Sequence, residues 1–178
     1  MKKTLVIHPD DRSTDFLKII YENHLEDWDI INDCFITKED LIEQIKSHDR
    51  IIMMGHGTPG GLLNPKKWNY LISDEFAPLL AEKETISIWC NSDQYFRKHN
   101  IKGFHTGMII SEVAEARYVL HDTPLNKEET LNNMLAFARI VKNCIDDKPN
   151  EMKDYILKNY TFKDDVTQFN RGNIIVLE

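Results

Sequence analysis

The sequence predicts an α/β fold in which helices cover both faces of a mostly parallel sheet, a three-layer sandwich. Short apolar runs alternate along the chain with segments whose apolar residues recur at helical spacing, and this alternation is typical of open parallel sheets. One run, residues 51–54, is apolar throughout, as expected for a strand buried on both faces. The chain has 178 residues, of which 42% are hydrophobic, so we expect a single domain spanning residues 1–178.

The first part of the chain predicts three strands and two helices. Residues 4–8 form a short apolar run that Pro-Asp-Asp ends, and helical spacing follows behind Ser13. A weaker strand is predicted at residues 30–31. Thr37 begins a segment that resembles a capping box, in which the threonine hydroxyl accepts from first-turn amides, so a helix is expected after it. The third strand covers residues 50–54 and ends at Gly-His-Gly.

The rest of the chain continues the alternation. Two apolar pieces between residues 60 and 73 are separated by Asn-Pro and predict a hairpin or an extended loop. Apolar residues over 76–80 predict a short helix, and residues 85–89, rich in β-branched side chains, form the fourth strand. The remaining predicted elements are a short helix capped by Asn91 or Ser92, a strand at residues 108–110, a helix that Ser111 caps, a long helix from about Asn126, a helix around Tyr155 and a last strand at residues 174–177.

Charge and cysteine content narrow the classes of function. The net charge is -7, and clusters of Lys and Arg that would bind phosphates are lacking, so a nucleic-acid partner is not expected. No apolar run approaches the roughly 18 residues of a spanning helix, and neither a signal peptide nor a membrane anchor is expected. Cys34, Cys90 and Cys144 form no CxxC pair, which favours a reducing compartment and a cytoplasmic protein. The histidines lack metal-binding spacing, and neither a metal nor a cofactor is expected.

Two neighbouring strands of the predicted sheet end in residues that are sufficient for acyl transfer. His56 follows the third strand and Cys90 follows the fourth, and the segment between them has room for the crossover that parallel strands need. Because open α/β sheets bind ligands beyond the carboxyl ends of their strands, we expect both residues to face one cleft. A cysteine thiolate attacks a carbonyl carbon and an imidazole protonates the leaving amine. The backbone amides of Gly57 and Cys90 are the candidate donors to the oxyanion.

Two local features bear on the reactivity of this pair. Gly57 is expected to let a substrate approach the backbone closely. The amino end of the helix after Cys90 is expected to lower the pKa of the thiol, and Asp93 in its first turn to oppose that effect.

These motifs resemble those of caspase-like (clan CD) cysteine peptidases, the family that includes legumain and gingipain. Its members carry an apolar strand that ends in His-Gly and another that ends in Cys; here residues 51–57 read Ile-Ile-Met-Met-Gly-His-Gly and residues 86–90 read Ile-Ser-Ile-Trp-Cys. Residues 60–63, Gly-Gly-Leu-Leu, are similar to the legumain-like pattern after His-Gly. The resemblance covers about residues 1–120. It implies a caspase-like fold and hydrolysis of a peptide or protein substrate by a His56 and Cys90 dyad, without a metal or cofactor.

Two residues beside the cysteine differ from those usual in this family. Trp89 stands where members usually have a small residue, and Ile88 stands where many members that cleave after a basic residue have an acid. With Asp93, these residues keep open a non-enzymatic alternative, in which a caspase-like domain has lost turnover and acts as a binding or assembly module.

Other nucleotide-binding and catalytic motifs match less well. Residues 55–60 fit the dinucleotide pattern GxGxxG, but that pattern requires a helix that begins at once, and Asn64 and Pro65 would interrupt it. A nucleotide-binding α/β protein is therefore the weaker alternative. The chain has no GxSxG sequence, which excludes an α/β-hydrolase elbow. Cys90 lacks the flanking glycines of glutamine amidotransferases, and Arg97 follows it one residue too late for a cysteine phosphatase.

Four further residues at predicted strand ends are candidates for the substrate pocket. His8 ends the first strand and Asp10 follows it, and their neighbour Asp11 would lie near the same cleft. Ser111 and Glu112 follow the predicted fifth strand, although Ser111 also fits the role of a helix cap.

Overall fold

A computed structural model of the protein describes residues 2–121 and 127–178. The strands are β1 (Thr4–Ile7), β2 (Asp29–Ile31), β3 (Arg50–Met54), β4 (Gly57–Thr58), β5 (Gly61–Asn64), β6 (Asn69–Ile72), β7 (Glu84–Ile88), β8 (Gly103–Thr106) and β9 (Ile174–Leu177). The helices are α1 (Lys38–Lys46), α2 (Ala77–Leu80), α3 (Ser92–Lys98), α4 (Val113–Leu120), α5 (Lys127–Lys142), α6 (Pro149–Asn159) and α7 (Asp165–Gly172). A 3-10 helix covers Arg12–Ile20, and two shorter ones cover Glu22–His24 and Asp74–Phe76.

Six strands form the central sheet in the order β2-β1-β3-β7-β8-β9. All neighbours are parallel except β8 and β9, which are antiparallel, so the prediction of a mostly parallel sheet is confirmed. β3 and β7 pair along their whole length, and Met54 opposite Ile88 is their last pair at the carboxyl edge. The small antiparallel sheet β4-β5-β6 follows β3, which confirms the predicted hairpin.

Helices cover both faces of the central sheet. One face packs against the 3-10 helix, α5 and α6 in a core that includes Ile52, Phe137 and Ile156. The other face packs against α1, α2 and α3 in a core that includes Ile51 and Leu80. Because successive side chains of a strand point to opposite faces, the unbroken apolar run of β3 contributes to both cores.

One predicted strand is in the wrong place. The sequence predicts a strand at residues 108–110, whereas β8 occupies Gly103–Thr106 and residues 108–110 follow it without regular structure. β8 contains His105, whose Nδ1 lies 2.7 Å from Ser87 Oγ in β7. The polar His105 side chain lies inside the sheet because Ser87 is its hydrogen-bond partner there, and sequence spacing does not reveal this contact. The sequence prediction instead places the strand at the apolar run that follows, residues 108–110.

The predicted helices are found, with differences at some of their ends. The first is a 3-10 helix, and α4 is capped by Glu112 in a capping box with Glu115, not by Ser111. The predicted start of the long helix at Asn126 lies outside the described residues, and α7 has no counterpart in the sequence prediction. In the described part of the chain, no helix is both long and apolar enough to cross a bilayer.

Candidate active site

The turn after β3 places His56 at the carboxyl edge of the sheet. Gly55 has a φ of +139°, which residues with a side chain rarely adopt, and its N–H donates to the Ile88 carbonyl at 3.2 Å. The His56 carbonyl accepts from the Leu63 N–H at 2.9 Å, so its backbone is held between β7 and the hairpin. The His56 side chain remains 38% exposed.

His56 is connected through Ser13 to Asp11. The Nε2 atom of His56 lies 2.7 Å from Ser13 Oγ, which donates to Asp11 Oδ1 at 2.8 Å. A hydroxyl has one proton, and Ser13 gives it to Asp11, so His56 Nε2 must carry the proton that it shares with Ser13. Nδ1 is then the basic nitrogen of the ring.

The Asp11 carboxylate is positioned to support a charged imidazole. Its Oδ2 atom lies 3.9 Å from His56 Nε2. Burial would raise the pKa of Asp11, but hydrogen bonds from the Ser13 N–H and hydroxyl, together with the charge of His56, lower it below the usual value. Asp11 therefore remains ionised, and an ionised carboxylate stabilises the imidazolium that forms when His56 accepts a proton.

A tight turn after β7 carries Cys90 into α3. Asn91 has a φ of 63°, in the left-handed region that asparagine tolerates, and its N–H donates to the Gly107 carbonyl at 3.0 Å. Ser92 Oγ donates to the Thr106 carbonyl at 2.8 Å and accepts from the Thr106 N–H at 2.9 Å. These bonds fix the Cys90 turn against β8 and the segment that follows it.

A buried polar chain lies behind this turn. Ser87 Oγ donates to Ser92 Oγ at 2.9 Å, so His105 Nδ1 must be the donor to Ser87. Burial lowers the pKa of His105 to about 3, and its Nε2 has no hydrogen-bond partner among the described residues. The ring stacks on Phe96 with centroids 4.0 Å apart. His105 is thus a neutral residue that supports the Cys90 turn.

The Cys90 thiol lies in apolar surroundings and is protonated. Sγ donates to the Ile109 carbonyl at 3.5 Å. Burial raises the pKa of the thiol, and the charge of Glu115 raises it further, so the expectation that a helix end lowers this pKa is wrong. Asp93 instead pairs with Arg97 at 3.4 Å. A base is needed to make Cys90 nucleophilic at neutral pH.

His56 and Cys90 line the same cavity, which has a volume of about 30 Å³. Ile88 and Phe137 contribute apolar lining, and Ser111, a predicted pocket residue, lines it as well. The volume is that of roughly two water-sized probes. The structure thus brings the predicted dyad together at a small, mainly apolar cavity.

Gly57 has a packing role that the sequence does not predict. A Cβ atom built on Gly57 would lie 2.1 Å from Trp89 Cδ1. The buried indole donates from Nε1 to the Thr58 carbonyl at 3.2 Å. The space beside the Gly57 Cα is therefore filled by Trp89, which corrects the expectation that this glycine leaves room for a substrate.

His8 lies behind the site. It is buried, with Nδ1 3.0 Å from the Tyr21 hydroxyl and Nε2 3.2 Å from Thr14 Oγ1. Thr14 Oγ1 donates to the Asp11 carbonyl at 3.1 Å, so His8 Nε2 is protonated and Nδ1 accepts from Tyr21. Burial lowers the pKa of His8 to about 4, and the ring is neutral.

The other two pocket candidates do not line the cavity that His56 and Cys90 share. Asp10 has an exposed side chain that lies 3.7 Å from Lys18 Nζ, and Glu112 caps α4. The acid near His56 is Asp11, and Ser13 between them is the residue that sequence reasoning missed. The available sequence signal was the spacing of Asp11 and Ser13, two residues apart shortly after β1. An aspartate side chain readily accepts a hydrogen bond from the backbone N–H two residues further on, as Asp11 does from Ser13.

The glycines of the GxGxxG sequence lead into strands. Gly57–Thr58 form β4, which pairs with Gly61 and Leu62 of β5, so the helix that a dinucleotide site requires does not begin here. Within residues 2–121 and 127–178, no group of three or more His, Cys, Asp or Glu residues is arranged to hold a metal ion.

No protein-family model matches the chain, and a search of curated proteins finds no similar protein.

Proposed function

We propose that the protein is a cysteine peptidase that resembles the caspase-like family, with Cys90 as nucleophile and His56 as general acid and base. The observation that carries this proposal is that both residues line one cavity at the carboxyl edge of neighbouring parallel strands. The hydrogen bond of His56 to Ser13 leaves Nδ1 as its basic nitrogen. The three free cysteines suit a reducing, cytoplasmic setting.

The proposed reaction proceeds by acyl transfer. His56 Nδ1 takes the thiol proton as Cys90 Sγ bonds to the carbonyl carbon of the scissile peptide. The oxyanion accepts hydrogen bonds from the backbone amides of Gly57 and Cys90. The C–N bond then breaks, His56 gives its proton to the leaving amine, and a thioester on Cys90 remains. Water activated by His56 hydrolyses the thioester and restores the thiol.

The size of the cavity limits the residue on the acyl side of the scissile bond. A cavity of about 30 Å³ suits a small side chain better than a long one, and Ile88 and Phe137 in its lining offer no charge to a basic side chain. We therefore propose cleavage after Gly or Ala and not after Arg or Lys.

A second candidate function is a binding module without turnover. It is favoured by the raised pKa of the partly buried Cys90 thiol, since a protonated thiol is a poor nucleophile. A nucleotide-binding function is less favoured, because no helix begins at the glycines around His56.

Turnover of a mixed fluorogenic peptide library by the wild type, Cys90→Ala and Cys34→Ala tests the proposal. Cys34 is buried and does not line the cavity that His56 and Cys90 share, so Cys34→Ala is the matched control. We expect Cys90→Ala to lower the rate by at least about a thousandfold and Cys34→Ala to retain it. Equal rates for wild type and Cys90→Ala, or no cleavage by any of them, would leave the binding module as the better account.

A further inference from the structure

His56 also lines a second, larger cavity. It has a volume of about 460 Å³, within the range of sites that hold small ligands. We call it the Trp68 cavity. Its apolar lining comes from Pro9, Leu63, Pro65 and Trp68, and His56 forms part of its wall.

Trp68 is an exposed residue on a turn that hydrogen bonds to Asn64 hold in place. The side chain is 91% exposed and φ is 53°, an uncommon conformation for a bulky residue. Asn64 holds this turn, since its Oδ1 accepts from the Lys66 and Lys67 N–H groups and its carbonyl accepts from the Trp68 N–H at 3.0 Å. Asn64 Nδ2 also donates to the Cys34 carbonyl at 2.7 Å. The indole is thus presented on a prearranged turn.

The arrangement of the two cavities assigns them to opposite sides of a scissile bond. His56 lines both cavities, whereas Cys90 lines the small one and not the Trp68 cavity. Cys90 bonds to the acyl carbon, and His56 gives its proton to the leaving amine. The cavity that His56 lines without Cys90 therefore lies on the side of the leaving amine.

We propose that the Trp68 cavity binds an aromatic side chain of the residue that follows the scissile bond, an inference that rests on the proposed peptidase function. Flat rings pack well on the faces of Pro9, Pro65 and the Trp68 indole, and such contacts contribute beyond the area that they bury. Asp11 and Lys66 also line the cavity, and the Asp11 carboxylate attracts the amine once the bond has broken. The substrate class is a peptide with a small residue before the scissile bond and an aromatic one after it.

The first arm of the test is a cleavage-site survey of a peptide library by mass spectrometry. Wild type, Trp68→Ala and the control Tyr118→Ala, an exposed aromatic that lines neither cavity, are compared. We expect Phe, Tyr and Trp to be enriched after the cleaved bond in wild type and Tyr118→Ala. In Trp68→Ala, the ratio of kcat/KM for matched peptides with Phe or Ala at that position should fall about tenfold, and an unchanged ratio would overturn the proposal.

The second arm separates failure of the cavity from failure of the peptidase function. Phenylalaninamide, which carries the amine and side chain of the leaving residue, and alaninamide are titrated into Cys90→Ala while the Trp68 indole N–H is followed by NMR. We expect phenylalaninamide alone to shift this signal saturably. If no peptide is cut but the shift is seen, the peptidase function is wrong and the aromatic site stands. If peptides are cut without aromatic preference and no shift is seen, the aromatic site is wrong and the peptidase function stands. If neither is seen, both are wrong.

Discussion

The ends of β3 and β7 lie side by side in the sheet, yet they give their reactive side chains opposite environments. Beyond β3, His56 is partly exposed and hydrogen-bonded to Ser13, with the Asp11 carboxylate 3.9 Å from its ring. Beyond β7, the Cys90 thiol lines an apolar cavity, and burial raises its pKa. The end of β3 therefore surrounds its histidine with polar groups, whereas the end of β7 disfavours the charged, thiolate form of its cysteine.

This difference indicates how such a pair would react. The raised pKa keeps the thiol protonated at neutral pH, so in the proposed reaction Cys90 would become a nucleophile only as His56 takes its proton. His8, which ends β1 next to β3, shows that a strand-end position alone is insufficient. It is buried, and both of its ring nitrogens are occupied by Thr14 and Tyr21. The surroundings of each strand end, more than its place in the sheet, separate a candidate base from a structural histidine.

The largest expected effect on stability concerns His8, which follows β1 at the carboxyl edge of the central sheet. Burial lowers the pKa of His8 from 6.5 to about 4, so the unfolded chain binds more protons than the folded one between these values. The contribution of neutral His8 to the free energy of unfolding is therefore fully present above pH 6.5. It is lost as the pH falls towards 4, and the loss is about 3 kcal/mol. Urea unfolding of wild type and His8→Gln at pH 7 and pH 4.5 measures it. We expect a smaller loss on acidification in His8→Gln, and an equal loss in both proteins would contradict the assignment.

The next effect tests the packing between the two strand ends. Gly57→Ala introduces a Cβ that would meet the Trp89 ring at 2.1 Å, and such overpacking costs about 1–3 kcal/mol. Gly172→Ala is the matched control, because the Cβ it would add has open space around it, with no described atom beyond its chain neighbours and the backbone of its own helix within 4 Å. Thermal unfolding should show a lower Tm for Gly57→Ala alone. Equal Tm values would mean that Trp89 does not pack on Gly57 as described.

The smallest expected effect concerns the hydrogen bonds of His56 at the end of β3. Ser13→Ala removes the hydroxyl between His56 and Asp11, and we expect kcat to fall about tenfold because the orientation of the imidazole is lost. A structural defect would lower the rate in any background. In a His56→Ala background Ser13→Ala should therefore have no further effect, as measured by a double-mutant cycle of peptide turnover. Additive effects would show that Ser13 does not act through His56.

The sequence predicts the central sheet and the placement of His56 and Cys90 at its carboxyl edge better than the contacts around them. His56 and Cys90 are recognisable because each follows a strongly apolar strand, and this pattern is local. The hydrogen bond between Ser13 and His56 joins segments that are distant in the chain, so no local sequence pattern predicts it. β8 was missed for a similar reason, since His105 is stabilised inside the sheet by Ser87 of the neighbouring strand. The packing of Trp89 on Gly57 likewise depends on two strand ends that only the fold brings together.

The most direct test of the dyad is the rate at which iodoacetamide modifies each cysteine as a function of pH, in wild type and in His56→Ala. Cys34 and Cys144 are buried, and burial raises the pKa of both thiols. The account predicts that Cys90 of the wild type is modified first at pH 7.5 and that His56→Ala slows its modification and shifts its profile to higher pH. Modification of Cys90 no faster than of Cys34 and Cys144, or a profile that His56→Ala leaves unchanged, would contradict a nucleophile activated by His56.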